Sequence, residues 1–174
     1  MKKGKHRTPN NERRTPNFAD DALESMGGYV LCEAKNGRIK FNLEERLLEF
    51  ASAVIDLSEM LPNTRAGNHV AGQILRSGTS PFPNHAEAES AESHEDFIHK
   101  FKICLKELRE TRRWARLIQR KTWAEKSPTL LFVLSESDEL IRIFMASIRT
   151  ARQNALLSRR KVSERVSYAP GDAG

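Results

Sequence analysis

Thiols are scarce in this chain: of its 174 residues only Cys32 and Cys104 are cysteines. Two cysteines make no disulfide framework and fit a reducing compartment; Cys104, on an apolar seam, reads as a small buried hydrophobe. Long apolar runs are missing too. None approaches the roughly 20 residues of a membrane span. The basic start MKKGKHR leads into TPNNERRTPN instead of an apolar signal core, so the protein is expected to stay in the cytoplasm, with no membrane partner.

The signatures of catalysis are equally thin. There is no Walker-type glycine loop, and no strand-turn-helix elbow surrounds Ser77, Ser80 or any histidine. His85 with Glu87 could open a zinc-deaminase motif, yet no Pro-Cys-x-x-Cys follows. Asp96-x-x-His99 has the spacing of a bundle metal pair, but a di-iron site needs a second such pair and two more inward carboxylates. The expectation is a protein with no catalytic residues, no metal and no cofactor.

What is present is periodicity and charge. Hydrophobic residues make up 39% and charged residues 30%, an ordinary balance for one soluble domain with tails. Lys+Arg exceed Asp+Glu by 29 to 23, and this modest excess favours polyanionic partners without establishing one.

The stretch from Asp96 to Lys121 organises the rest. Phe97, Phe101, Cys104, Leu108, Thr111, Ala115 and Ile118 recur at spacings of four and three, the seam of a helix packed lengthwise on others. Its remaining faces carry a dense basic set, and Ser93 is the predicted cap, with an end near Trp123. Ahead of it, Asn42 should cap a first helix with seam Leu43, Leu47, Phe50, Val54, Leu57 and Leu61, stopped by Pro62-Asn63. A second helix is expected from about Asn68, with Val70, Ile74, Ser77, Pro81, Asn84, Ala88 and Ala91 in register. Pro81 and Pro83 predict a kink after Gly78, with Ser80 as a fresh N-cap. The fourth helix repeats the seam at Leu130, Leu134, Ser137, Ile141, Phe144, Ile148, Ala151 and Ala155, and Leu131, Val133, Leu140 and Met145 widen it towards a second buried surface.

Four such segments with short connections predict an all-α fold, an antiparallel up-and-down four-helix bundle over residues 38–157. Residues 1–37 read as a basic, mostly disordered arm and 158–174 as a disordered tail. Between Tyr29 and Phe41, apolar runs flank Asn36-Gly37, the signal of a short hairpin.

Gln73-Ile74-Leu75-Arg76-Ser77-Gly78-Thr79-Ser80, then Asn84, Glu87-Ala88 and DFIHKFKICLKELRETRRW, resemble a bacterial family of four-helix bundles. It is the family first met as reading frames inside 23S ribosomal RNA intervening sequences. The accessory variability determinant proteins of diversity-generating retroelements look related to it. The resemblance spans roughly Phe41 to Ala151 and implies a ring-like homopentamer without known catalysis; for the retroelement branch it implies a basic surface engaging RNA or DNA and a reverse transcriptase. Many relatives have Ile-Gly-Ala where this chain has Pro81-Phe82-Pro83.

Two residue sets follow. Arg76, Ser77, Asn84, Glu87, Glu107 and Glu110 read as a polar network that fixes helix register. Lys102, Lys106, Arg109, Arg112, Arg113, Arg116 and Arg120 read as a phosphate-binding surface, or as a solvated face partly paired with Glu107 and Glu110.

Overall fold

The computed structural model describes residues 42–167, with side chains through Ser158. The arm of residues 1–37, the Asn36-Gly37 turn and the last seven residues lie outside the described residues. Five helices follow one another: α1 (Leu43–Glu59), α2 (Arg65–Thr79), α3 (Pro81–Glu89), α4 (His94–Arg120) and α5 (Pro128–Ser167). No strand occurs among the described residues. Helices α2 and α3 form a single interrupted column, so the molecule is a four-helix bundle. α1 packs on that column and on α5, α4 does the same, and α1 and α4 stand on the diagonal.

Local chemistry sets most of the helix ends. The Asn42 side chain accepts from the Glu45 amide at 3.2 Å and Ser93 from the Asp96 amide at 3.1 Å, satisfying donors that a helix start leaves open. α2 begins earlier than the expected Asn68, because Thr64 caps it by accepting from the Gly67 amide at 3.0 Å. α4 ends at Arg120, short of Trp123, in a Schellman arrangement: Thr122 N donates to Gln119 O and Trp123 N to Ile118 O. The turn needs a left-handed residue, which here is Thr122 at φ 56° where glycine is usual. α5 continues through Ser167, past the fraying end expected after Leu157.

The interruption at Ser80 comes from Pro81 and Pro83, which remove the amides that would have bonded the carbonyls of Ser77 and Thr79. Ser80 is not the expected N-cap: its backbone is helical and its side chain makes no capping bond. Asn84 serves the junction instead, its Nδ2 donating to Ser80 O at 2.9 Å and to Ser80 Oγ at 3.2 Å. The buried register after the prolines runs through His85 and not through Asn84, which is half-buried.

The core is aromatic at one end and close-packed at the other. Phe97 stacks on Phe101 at 4.2 Å between ring centroids, and Phe101 meets Phe144 at 4.9 Å. His85, 2% exposed, closes this group against Phe101 and Phe144. Its Nε2 has no hydrogen-bond partner among the described residues, and burial pushes its pKa down against the opposing pull of Glu89 and Glu44. Farther along α2, Gly78 lies against Val54 so closely that a Cβ there would come within 2.5 Å of a valine methyl. Ser77 faces α4, where Thr111 Oγ1 donates to Ser77 Oγ at 3.0 Å. Small residues thus bring both neighbours near the α2 backbone. Cys104 is buried on α4 and its Sγ donates to the Pro81 carbonyl at 3.6 Å; burial pushes the thiol up to about 12.

On α5 the buried line is Leu130, Val133, Ser137, Leu140, Phe144, Ile148 and Ala151. Val133 and Leu140 therefore take the core positions assigned from sequence to Leu134 and Ile141, which are half-buried. Leu131 and Met145 remain 58% and 49% exposed.

Candidate nucleic-acid interface

α4 sends its core seam inward and divides its charges between two flanks. On the side of α2 lie the acids. Glu110 meets Arg76 at 2.5 Å, and Glu107, buried, is 3.7 Å from the same guanidinium. Trp114 Nε1 donates to Glu110 at 3.4 Å, while Lys106 reaches Glu107 at 3.4 Å. Arg76, Ser77, Glu107 and Glu110 of the expected polar network thus come together along the α2–α4 seam, joined by Thr111. The other two members do not. Asn84 bonds within the proline junction, and Glu87 pairs with Lys100 on an exposed stretch of α3 and α4, an ion pair that raises the lysine pKa.

Next to the acids, on the solvent side of the helix, lie the bases. At 100° per residue, Lys102, Lys106, Arg109, Arg113, Arg116 and Arg120 share one solvent face, recurring at four and three. Arg112 is not one of them: it sits nearer the seam and its Nε lies 2.5 Å from Asp138 on α5. From Lys102 to Arg120 the row is about 27 Å long, about one cation per 5.4 Å turn. Of its six members only Lys106 forms an ion pair among the described residues. Of the pairing expected between this set and Glu107 or Glu110, Lys106 with Glu107 is the one instance among the described residues; Arg76 from α2 lies against both acids.

Beside the row, Lys106, Arg109, Glu110, Arg113, Trp114 and Leu117 surround a shallow groove of about 620 Å³. Trp114, T-shaped to His69 with 6.2 Å between ring centroids, and Leu117, 39% exposed, are its apolar members. They were not legible as interface residues from sequence. The one signal was an aromatic interleaved with arginines in Arg112-Arg113-Trp114. Asp96 and His99 stay apart from any larger donor set: no group of three His, Cys, Asp or Glu that could hold a metal occurs among the described residues. No helix among them is long and apolar enough to cross a membrane.

A family model of 23S rRNA-intervening sequence proteins matches residues 40–145, well over half of the chain. The chain belongs to this family. A crystal structure of a protein of unknown function from the S23 ribosomal protein family of Bacteroides thetaiotaomicron is 36% identical, with a TM-score of 0.56. The similarity covers 62% of this chain and 98% of that one. No curated protein matches. For this member of the 23S rRNA-intervening sequence protein family, the match takes in α1 to α4 whole, and with them the basic row and the Arg76 cluster.

Proposed function

We propose that this protein is a non-enzymatic, self-associating bundle that binds nucleic acid, RNA in the first instance, through phosphate contacts along α4. The observation that supports this reading is the separation of charge on α4. Glu107, buried, and Glu110, half-buried, both lie against Arg76, and a row of cations faces solvent with one ion pair among six. A purely solvated helix face gains from mixed signs at i,i+4; this row has one such acid, Glu110 four residues after Lys106, and that acid is turned to Arg76. Trp114 and Leu117 beside the row offer an apolar surface on which an unpaired base can rest. Exposed Leu131 and Met145 on α5 support self-association, for which the family resemblance implies a ring of five.

The test is a titration of labelled single-stranded RNA at several salt concentrations. If all six cations meet phosphates, log K falls with log salt at a slope of about −4. Replacing Arg109, Arg113 and Arg116 with Glu weakens binding and removes about 2 from that slope, with Gln doing less. Binding that is absent at low salt, or unchanged in the folded triple variant, makes the row solvated surface and the protein an interaction scaffold. A monomer mass by light scattering at micromolar concentration refutes the self-association.

A further inference from the structure

The exposed side of α1 has the opposite character to α4. Where α1 meets the first turns of α5, an open cleft of about 630 Å³ is lined by Glu45, Leu48, Glu49 and Asp56 on one wall and Pro128 and Phe132 on the other. Its floor is apolar, with Leu48 46% exposed and Phe132 resting on the core. Its rim is acidic, and none of the three carboxylates forms a salt bridge among the described residues. The surface suits a short segment that is apolar on one side and basic on the other.

The chain carries one next to it. Residues 29–41, Tyr29-Val30-Leu31-Cys32-Glu33-Ala34-Lys35-Asn36-Gly37-Arg38-Ile39-Lys40-Phe41, run directly into Asn42, the cap of α1, one turn from Glu45. Arg38 and Lys40 alternate with Ile39 and Phe41, so an extended chain there puts bases on one side and large apolar groups on the other. Lys35 adds a third base against one acid, Glu33. Reach suffices: Glu45 to Asp56 spans about 16 Å of helix, which about five extended residues cover. Residues 29–39 of the segment also precede the family match, which starts at residue 40. We propose that residues 29–41 fold back onto the α1–α5 cleft of their own molecule, with Ile39 and Phe41 over Leu48 and Phe132, and Arg38 and Lys40 against Glu45 and Glu49.

The full chain supplies its own probe, because Cys32 lies in the segment while Cys104 is buried and inert. A thiol is introduced into the cleft wall by Ser52→Cys, and for comparison on the exposed side of α4 by Gln119→Cys. A short bismaleimide is then used to cross-link each to Cys32. Docking gives intramolecular cross-linking in the Ser52→Cys protein at least about tenfold faster than in the comparison protein, reflecting a higher effective concentration. Arg38→Glu with Lys40→Glu abolishes that advantage, and adding Glu45→Lys with Glu49→Lys restores it. Equal rates at the two positions overturn the proposal. So does an advantage that survives the charge reversal, which reports the covalent tether alone, or a dimeric product that grows with protein concentration, which puts a second copy in the cleft.

Discussion

Substituting the two glycines of α2 separates packing from helix propensity with one chemical change. Gly72 has nothing within 4 Å of where a Cβ would stand, so Gly72→Ala collects only the propensity gain, about 0.5–1 kcal/mol of added stability. Gly78→Ala collects the same gain, but its Cβ falls 2.5 and 2.7 Å from the two methyls of Val54. Val54 is fully buried and β-branched, so its side chain cannot swing away within an allowed rotamer and α1 and α2 must part. Overpacking of this kind costs about 1–3 kcal/mol, and two short contacts place it at the upper end. The net result is a loss of about 2 kcal/mol, which lowers the melting temperature by roughly 4–10 °C for a domain of this size. Urea titrations and thermal melts followed by circular dichroism measure both variants. Val54→Ala in the Gly78→Ala background makes room for the added methyl, and a double-mutant cycle then shows about 1 kcal/mol or more of favourable coupling. If Gly78→Ala stabilises as much as Gly72→Ala, the close approach of α1 and α2 is refuted.

Three other changes test separate features. Thr122→Gly relieves the left-handed residue that closes α4 and raises stability by about 1 kcal/mol in the same melts, whereas an ordinary backbone there predicts a loss. Arg76→Ala leaves the buried Glu107 with Lys106 as its one counter-charge among the described residues and costs about 1–2 kcal/mol, discounted for the exposure of the arginine; Glu107→Gln in that background recovers part of it, and an additive pair refutes the coupling. His85 is held neutral by burial, so below pH 6.5 the unfolded chain takes up a proton that the folded one resists. Stability therefore falls on acidification from pH 6.5 towards the lowered folded pKa, by at most about 1.4 kcal/mol per pH unit. His85→Gln flattens that dependence, and equal slopes in the two proteins refute it.

Two helices were readable almost residue by residue and two were not, for reasons visible in the side chains. In α1 and α4 the stripe read at spacings of four and three is the one that packs, so Phe50, Val54, Phe101 and Leu108 are buried, while Leu48 and Ile55 beside it on α1 stay exposed. α5 has apolar residues side by side, Val133 with Leu134 and Leu140 with Ile141, and its periodicity fits two registers. Only contact with the other helices decides between them. After the prolines the second column keeps the expected Pro81, Ala88 and Ala91 in the core but steps by four instead of three from Pro81, so His85 enters where Asn84 was expected. The end of α4 was hidden because Thr122 stands where a glycine would have marked it. The basic row itself was legible, but that Lys106 alone of its members forms an ion pair among the described residues was not, since Glu110 is taken up by Arg76 arriving from another helix.

The placement of Cys104 gives the bundle a clock. A thiol held to about 12 is almost wholly protonated at neutral pH, and with no exposed surface no alkylating reagent can reach it in the closed molecule. Reaction must wait for α4 to separate from the Pro81 carbonyl at the head of α3. With Cys32→Ser removing the other thiol, the labelling rate becomes the product of the opening equilibrium and the intrinsic rate whenever reclosure is fast. Its dependence on urea then distinguishes two kinds of event: release of α3 alone exposes little surface and responds weakly, whereas unfolding of the whole bundle responds with the full equilibrium slope.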